Sequence, residues 1–191
     1  MFFTLKMKIK KIIHTSTSEV YGTAKYIPID ETHPLQGQSP YAATKIGADQ
    51  IALSFYRSFD LPIVILRPFN TFGPRQSLRA VIPTIINQAL KGRDEIALGS
   101  TIPKRDFSYI DDTVDGFMCA IQSKNIKGEI INLGSGYQFS VLDTLKLISE
   151  IMGKKIKVKN KKNNPIKKPK FFGLKKFFIK KGAKLIAPYS D

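Results

Sequence analysis

The chain alternates between short apolar runs and longer amphipathic stretches along residues 1–153, and this alternation constrains its fold more than any other feature. The segments KIIHTS (11–16) and LPIVILRP (61–68) are rich in β-branched residues that follow one another nearly without a break. Such continuous runs are typical of parallel strands that are buried on both faces. Each of the two segments is therefore predicted to form a strand of a buried sheet.

Helical patterns fill the segments between and after these strands. SPYAATKIGADQIALSFYRSF predicts a long helix with Pro40 in its first turn, where proline is tolerated. GEIINLGSG predicts a further strand that runs into a glycine-rich turn, and in SVLDTLKLISEIMG the pair Ser140 and Asp143 stands at capping-box spacing. Two more helices are predicted for AVIPTIINQALKG and DDTVDGFMCAIQS. This alternation predicts an α/β fold with a parallel sheet.

The positive charge is concentrated at one end of the chain. The formal net charge of the chain is +16, and a strongly positive charge is typical of nucleic-acid-binding proteins. Residues 1–153 contain 17 lysines and arginines against 14 acidic residues, whereas residues 154–191 contain 14 lysines against one acidic residue. We therefore expect a folded domain over residues 1–153 and a lysine-rich, divergent tail over residues 154–191, without specific nucleic-acid binding. At the start of that tail, KKIKVK (154–159) is compatible with one more edge strand.

Composition also bears on location and on metal binding. The longest apolar runs are far shorter than the ~20 residues that span a bilayer, and the first residues lack the pattern of a secretion signal, so we expect a cytoplasmic protein with no membrane span. The single cysteine, Cys119, is expected to be buried in a helix. His14 and His33 lack neighbours at metal-ligand spacing, so no metal is expected.

The stretch HTSTSEVYGTA places polar side chains directly after the first predicted strand. In an open α/β sheet, ligands bind where the carboxyl ends of the strands meet. Thr17, Ser18 and Glu19 are therefore candidates for a functional site, although such residues also occur in simple turns and caps. This segment by itself favours neither interpretation.

Tyr41 and Lys45 stand four residues apart at the start of the predicted long helix, so their side chains share one face. A tyrosine phenol that acts as a base near neutral pH needs about 4 kcal/mol of stabilisation of its anion. An exposed pair at this spacing supplies only about 0.5 kcal/mol. A second positive charge in a site shielded from water, such as an oxidised nicotinamide ring, would be required.

Five motifs occur in order along the chain, namely STSEVYG, SPYAATK, RPFNTFGPRQS, RDFSYIDDTVDG and INLGSG. Together they resemble the NAD-dependent epimerase/dehydratase family of extended short-chain dehydrogenases/reductases, over residues 11–153. Within that family the chain is most similar to nucleotide-sugar 4,6-dehydratases of the kind that open legionaminic acid synthesis. The resemblance implies the C-terminal part of a Rossmann-like parallel sheet with a small substrate-binding subdomain.

The resemblance also assigns catalytic roles. Tyr41 would take the proton of the sugar 4-hydroxyl while hydride leaves C4 for NAD, and Lys45 would orient the cofactor ribose. Thr17 would hydrogen-bond the same hydroxyl, and Glu19 would remove the C5 proton before water leaves from C6 and the hydride returns there. Ser18 departs from the dehydratases that carry aspartate at this position, so Glu19 would have to serve as both base and acid.

Further positions match cofactor and substrate contacts of the family. The cofactor-binding positions are Tyr41, Lys45 and Phe69, and the substrate-binding positions are Asn70, Val81, Arg105 and Asn132. A guanidinium such as that of Arg105 suits a diphosphate because it donates two parallel hydrogen bonds. The implied cofactor is NAD, and the implied partner is a nucleotide-diphosphate sugar.

None of the 13 glycines forms the G-x-x-G-x-x-G motif with which the family holds the cofactor diphosphate. We therefore expect a chain that is truncated at its N-terminus and altered at its C-terminus. The expected partners accordingly include a separate N-terminal Rossmann half and, from the family, a second copy of the chain in a homodimer.

Several other functions stay open at this level. UDP-glucuronate decarboxylases also carry T-S-E-V-Y-G, and nucleotide-sugar 4-epimerases belong to the same family. An inactive remnant of an enzyme is a third alternative. A basic-tailed binder of nucleic acid or membrane is a fourth, against which the nearly neutral residues 1–153 argue.

Overall fold

The centre of the molecule is a parallel sheet of three strands. The computed structural model describes residues 9–160, and its central strands lie in the order β1-β2-β7, with β1 at Ile12–Thr15, β2 at Ile63–Pro68 and β7 at Ile130–Leu133. β1 and β2 pair from Ile12 opposite Ile63 to Thr15 opposite Leu66. The three predicted strands are thus confirmed and belong to one sheet.

Four α-helices accompany the sheet within the described range. They are α1 (Pro40–Phe59), α2 (Val81–Leu90), α3 (Ile110–Gln122) and α4 (Val141–Ile151), and a short 3₁₀ helix spans Ser18–Tyr21. Each of the four predicted helices is therefore confirmed. The capping box at Ser140 and Asp143 is also confirmed, because the Asp143 N–H donates to Ser140 Oγ and the Ser140 N–H donates to the Asp143 carboxylate.

Helices α1 and α3 cover opposite faces of the sheet. Ile63 and Ile65 of β2 pack against Ala52 and Leu53 of α1. The intervening Val64 and Leu66 pack instead against a cluster that contains Ala120 of α3. Since successive side chains of a strand point to opposite faces, one buried strand serves both clusters. The result is a three-layer α/β arrangement.

Apart from the core on the two faces of the sheet, a separate hydrophobic cluster joins α2, α4 and a further pair of strands. It is named the second cluster. Its buried members are Ile85, Ile96, Leu98 and Leu145. The strands are β4 (Glu95–Leu98) and β9 (Lys157–Asn160), which pair in parallel. β9 lies beyond the predicted domain boundary at residue 153, so packed structure continues at least to residue 160. The rest of the predicted tail, residues 161–191, lies outside the described residues.

Two small pairs of strands place the segments between the helices. β3 (Asn70–Phe72) pairs in parallel with β6 (Phe107–Tyr109), and β5 (Lys104–Arg105) pairs antiparallel with β8 (Phe139–Ser140). These four strands are only two or three residues long, and the sequence patterns did not predict them. They bring the segment after β2 beside the segment that precedes α3.

The outer face of α3 corrects one expectation from the sequence. Cys119 is exposed, whereas the apolar stretch around it predicted a buried side chain. Its neighbour Ala120 is the residue that packs toward the sheet. Consecutive residues of a helix lie about 100° apart around its axis, so an apolar segment does not show by itself which of two neighbours is buried. Within residues 9–160, no helix is long and apolar enough to cross a membrane.

Candidate active site

The loop that follows β1 presents three of the predicted site residues. Thr17 has an extended backbone and caps the 3₁₀ helix, since its Oγ1 accepts a hydrogen bond of 3.2 Å from the Glu19 N–H. Ser16, just before it, is buried, and its N–H donates to the Leu66 carbonyl at 2.7 Å. The Glu19 side chain is exposed and pairs with no cation among residues 9–160. The loop therefore holds a fixed hydroxyl, that of Thr17, beside a free carboxylate.

Tyr41 and Lys45 project from the first turns of α1. The helix begins there because the Ser39 hydroxyl accepts from the Ala42 N–H at 3.0 Å and Pro40 occupies the first turn. The Lys45 Nζ lies 6.0 Å from the centre of the Tyr41 ring, and 51% of Tyr41 is exposed. The predicted pair is thus brought together on an accessible face of the helix.

One hydrogen bond joins this helix to the end of β1. The Lys45 Nζ donates to the Thr15 carbonyl at 3.1 Å. Thr15 is the last residue of β1, two positions before Thr17. The structure therefore brings the two motifs, STSEVYG and SPYAATK, to the same end of the parallel sheet, where ligands bind in folds of this class.

The segment after β2 is held in place by Asp106, a residue that sequence reasoning missed. The Asp106 carbonyl accepts from both the backbone N–H and the side-chain amide of Asn70, each at 3.1 Å. Its carboxylate accepts from the Ser135 N–H at 2.9 Å, the Ser135 hydroxyl at 2.7 Å and the Gly136 N–H at 2.9 Å. Asp106 thus fixes Asn70 and the glycine-rich turn of INLGSG relative to each other. Its place beside Arg105 in the RDFSYIDD motif was the available signal.

A cavity of about 390 Å³ opens beside Asn70. It is mainly apolar, and its walls include Asn70, Phe72, Val81, Leu98, Arg105 and Phe107. The Arg105 side chain is exposed at its edge, with Nη1 bonded only to the neighbouring Lys104 carbonyl at 3.0 Å. Three of the four predicted substrate-binding residues, namely Asn70, Val81 and Arg105, therefore line one cavity.

The fourth predicted substrate residue, Asn132, lies elsewhere. It does not line this cavity, and its polar groups are used within the protein. Its side-chain oxygen accepts from the Tyr21 hydroxyl at 2.7 Å, its amide donates to the Ile29 carbonyl at 3.3 Å, and its backbone N–H donates to Glu31 at 2.7 Å. These contacts give Asn132 a structural position at the edge strand β7, while its role in substrate binding stays a prediction.

Asn132 belongs to a buried polar cluster that sequence reasoning also missed. Arg67 and Asp49 form an ion pair in which Nε and Nη2 both approach Asp49 Oδ2, at 3.1 and 2.9 Å, and both side chains are almost completely buried. Arg67 Nη1 donates to the Tyr21 hydroxyl at 2.8 Å, and its guanidinium lies 5.0 Å from the centre of the Tyr21 ring. His14 Nε2 lies 3.2 Å from the other Asp49 oxygen.

Both histidines, His14 and His33, contact other groups of this chain. His33 is buried, where its Nε2 accepts from the Lys25 N–H at 2.9 Å and its Nδ1 lies 3.0 Å from the Pro34 carbonyl. His14 contacts Asp49 as described. Over residues 9–160, no group of three or more His, Cys, Asp or Glu side chains is arranged to hold a metal ion.

A family model described as GDP-mannose 4,6 dehydratase matches residues 3–180 of the chain. The chain belongs to the NAD-dependent epimerase/dehydratase family. The family resemblance predicted from the five motifs is thereby confirmed. The match also continues past residue 153 into the lysine-rich segment.

Named relatives in this family include dehydratases and a glycan biosynthesis protein. The dTDP-D-glucose 4,6-dehydratase of Dictyostelium discoideum is 35% identical over 155 residues, which are 75% of this chain and 36% of the relative. Agl12 of Haloferax volcanii, a low-salt glycan biosynthesis protein, is 36% identical over 78% of this chain and 48% of its own.

Two solved structures show the same fold. The UDP-glucuronic acid 4-epimerase of Bacillus cereus, in complex with UDP-glucuronic acid and NAD, superposes with a TM-score of 0.75 at 36% identity, over 82% of this chain and 50% of that protein. The dTDP-glucose 4,6-dehydratase of Bacillus anthracis, in complex with NAD, gives 0.73 at 29% identity, over 79% and 50%. These structures confirm the predicted Rossmann-like α/β fold. The chain spans about half or less of the length of these four relatives.

Proposed function

We propose that this chain supplies the proton-transfer and substrate-binding residues of an NAD-dependent nucleotide-sugar 4,6-dehydratase. The observation that carries the proposal is the hydrogen bond from Lys45 Nζ to the Thr15 carbonyl, which sets the Tyr41 and Lys45 pair beside the loop of Thr17 and Glu19. A base, a hydroxyl donor and a carboxylate thus share one end of the sheet. The named dehydratases among the relatives support the same reaction.

NAD is the cofactor that fits the residues present. The Lys45 ammonium group has three N–H donors and uses one on Thr15, so two are left for the hydroxyls of a ribose. Phe69, half-buried at the end of β2, offers an apolar surface to a flat ring. When bound, NAD supplies the hydride acceptor that oxidation of a sugar hydroxyl requires.

Tyr41 and Thr17 act on the sugar 4-hydroxyl in this proposal. The Tyr41 phenolate takes its proton, and the positive charge of Lys45 stabilises that anion. Because Tyr41 is exposed, Lys45 supplies only a small part of the stabilisation, and bound NAD would supply the second positive charge and exclude water. Thr17 Oγ1 already accepts from the Glu19 N–H, which fixes the oxygen and leaves its O–H free to donate to the substrate. The two side chains therefore divide the work of removing the proton and holding the oxygen.

Glu19 acts on the neighbouring carbons. Once C4 is a ketone, the proton at C5 is acidic, and the Glu19 carboxylate, which no described cation neutralises, removes it. Ser18 cannot serve as the acid that aspartate provides elsewhere in the family, so Glu19 returns that proton to the C6 hydroxyl as it leaves as water. One carboxylate thereby acts first as base and then as acid. When the hydride returns to C6, a solvent proton would enter C5, which completes the 4-keto-6-deoxy product.

The cavity beside Asn70 holds the nucleotide part of the substrate. Its volume of about 390 Å³ lies within the range of small-molecule sites, and its apolar walls suit a flat base. Arg105 stands at its edge with most of its donors free, which suits a diphosphate. The substrate class is therefore a nucleotide-diphosphate sugar.

A 4-epimerase of UDP-glucuronic acid is the second candidate, with a decarboxylase as its variant. The epimerase structure matches this chain at 36% identity, against 29% for the dehydratase structure. Epimerisation at C4 needs the roles of Tyr41 and Thr17 but no base at C5. Glu19 therefore separates the two reactions.

The test uses the 191-residue chain together with a co-expressed Rossmann half that carries the G-x-x-G-x-x-G motif, because the chain itself lacks that motif. The pair is incubated in heavy water with NAD and, in separate samples, with dTDP-glucose, GDP-mannose, UDP-glucose or UDP-glucuronic acid. Dehydration is expected with one of the three substrates whose sugar has a hydroxyl at C6, namely dTDP-glucose, GDP-mannose or UDP-glucose. Mass spectrometry would then show the loss of water together with deuterium at C5. Glu19→Gln is expected to lower both by at least about 100-fold. Glu150→Gln, an exposed glutamate on α4, is the matched control and keeps the parent rate.

Three results would decide against the dehydratase. Deuterium that enters C5 of the Glu19→Gln product at the parent rate would remove Glu19 as the base. A product of unchanged mass that is inverted at C4 would identify the epimerase, and release of CO₂ from UDP-glucuronic acid would identify the decarboxylase.

A further inference from the structure

The buried polar cluster around Arg67 connects the segments that carry the proposed catalytic residues and Phe69. Asp49 lies on α1, one helical turn beyond Lys45. His14 directly precedes Thr15 in β1, and Tyr21 closes the 3₁₀ helix that contains Glu19. Arg67 itself lies two residues before Phe69. One connected set of contacts therefore reaches α1, the loop after β1 and the segment after β2.

Two sets of polar contacts, each called a tie, connect the strands of the sheet to the segments that carry the site residues. The first tie joins α1 to β1, through His14 Nε2 to Asp49 Oδ1 at 3.2 Å and through Lys45 Nζ to the Thr15 carbonyl at 3.1 Å. The second joins the 3₁₀ helix to β2 and β7, through the Tyr21 hydroxyl, which accepts from Arg67 at 2.8 Å and donates to Asn132 at 2.7 Å. The ion pair of Arg67 and Asp49 links the two ties.

Stability alone does not explain why this core contains charges. Removing a guanidinium and a carboxylate from water costs several kcal/mol per ion, and the attraction between them does little more than offset that cost. Well-packed apolar side chains of similar size would give a core at least as stable. A guanidinium, however, fixes the direction of each partner, because its donors lie in a rigid plane. The cluster therefore fixes the relative positions of the segments that it joins, whereas an apolar core would only hold them together.

We propose that Asp49, Arg67 and Tyr21 are positioning residues that set Thr17 and Glu19 at a fixed distance and angle from Tyr41. This role rests on the proposed function, because it assigns a use to the relative placement of those three side chains. Tyr41 lies eight residues from Asp49, roughly 12 Å along the helix. A small rotation or slide of α1 at Asp49 would thus displace the phenol, and a displacement of about 1 Å can lower a rate by about 100-fold.

The first experiment compares two conservative variants of the 191-residue chain by amide hydrogen exchange. Tyr21→Phe keeps the ring but removes the hydroxyl between Arg67 and Asn132. Thr144→Val is the matched control, since it also removes one buried hydroxyl, which lies on α4, away from the Arg67 cluster, and bonds the Ser140 carbonyl at 2.9 Å. Tyr21→Phe is expected to speed exchange at least tenfold at residues 16–22 and 41–46, with parent rates in β4 and α4.

Two outcomes of that experiment would overturn the proposal. Unchanged exchange at residues 16–22 would show that the hydroxyl does not hold the loop. An equal increase at every amide would show only a general loss of stability. If Tyr21→Phe does not fold, His14→Leu replaces it, because His14 is 25% exposed and its loss removes only the His14–Asp49 contact between β1 and α1. The same local increase is then expected at residues 14–17 and 45–49.

The second experiment measures turnover of the nucleotide sugar that the parent chain accepts together with the co-expressed Rossmann half. Tyr21→Phe is expected to lower kcat at least tenfold with KM within twofold, at a temperature where the variant is fully folded, while Thr144→Val keeps the parent kcat. A parent kcat in the folded Tyr21→Phe variant would overturn the positioning role. If the parent turns over no nucleotide sugar, the proposed function fails, and the exchange experiment still decides whether the cluster fixes the loop.

Discussion

Tyr21 is the residue whose surroundings differ most from what its type suggests. Its side chain is fully buried, and its hydroxyl lies between a charged donor and an amide acceptor. Burial raises the pKa of the Tyr21 phenol above its ordinary value of 10.0, and the hydrogen bond from Arg67 offsets part of that increase. The neutral phenol is therefore the form that the folded chain retains.

This pKa shift predicts a specific loss of stability in alkali. The folded chain holds the Tyr21 proton more tightly than the unfolded chain, so the resulting stabilisation is complete below pH 10 and declines as the pH rises through the raised pKa. Between pH 8 and 11, the free energy of unfolding in urea should therefore fall more steeply for the parent than for Tyr21→Phe. At pH 8 we expect the variant to be less stable by about 2 kcal/mol.

The control for this measurement is Tyr137→Phe, which changes a tyrosine that is 71% exposed. Its free energy of unfolding should follow that of the parent at every pH, because the hydroxyl that it loses is exposed in the folded chain. The lysines are common to all three proteins and contribute equally to each curve. Equal slopes for the parent and Tyr21→Phe would contradict the buried position of the hydroxyl.

Asn132 shows how a position matched from a family can acquire another use. The resemblance assigns it to substrate, but its backbone N–H and both ends of its side-chain amide bond groups of this chain. A buried amide is satisfied by whichever groups lie nearest in the folded state. Two of its hydrogen-bond partners, Tyr21 and Glu31, are 111 and 101 positions away in the sequence.

At the scale of helices and strands, the sequence predicts best those features that depend on interactions between residues a few positions apart. The N-terminus of α4 is an example, because the serine and aspartate of its capping box lie three residues apart and bond each other without help from the rest of the chain. The hydrogen bonds from Ser140 to the Asp143 carboxylate lower the pKa of Asp143 below its ordinary value of 3.8. This cap can therefore be removed by mutation or by acid.

Ser140→Ala is expected to lower the free energy of unfolding by about 1 kcal/mol near pH 7, because it leaves the Asp143 N–H without its acceptor. Because the folded pKa of Asp143 is depressed, its own contribution is present above pH 3.8 and is lost as the pH falls further. The difference between parent and variant should therefore shrink in acid. Urea unfolding at pH 7 and pH 3 measures it, and a difference that stays constant would contradict the cap.

At the scale of the whole molecule, packed structure continues past residue 153 into the segment KKIKVK. β9 follows that boundary and pairs with β4, and its Ile156 and Val158 pack against the second hydrophobic cluster. The lysines of this strand are compatible with such packing, since an edge strand exposes alternate side chains to water. Charge therefore marked the change in composition correctly but did not mark the end of the packed structure.

Two truncations test this view of the boundary. A chain that ends at residue 160 retains β9 and is expected to keep the circular dichroism spectrum and the unfolding midpoint of the parent. A chain that ends at residue 155 loses two apolar side chains from the second cluster and should be less stable by about 2 kcal/mol or more. Equal stability of the two chains would show that β9 contributes nothing, and unfolding of the longer one would show that residues 161–191 are needed for the fold.

The sequence by itself determined the α/β class, the three central strands, the four helices and the order of the motifs, because continuous β-branched runs, the helical period of 3.6 residues and the helix caps can each be recognised within a few neighbouring residues. Only the tertiary structure decided which buried polar groups meet. Arg67 finds Asp49 across 18 residues, and Tyr21 finds Asn132 across 111. A buried donor or acceptor must have a partner, but the choice of partner depends on how sheet and helices pack, and no local pattern encodes that.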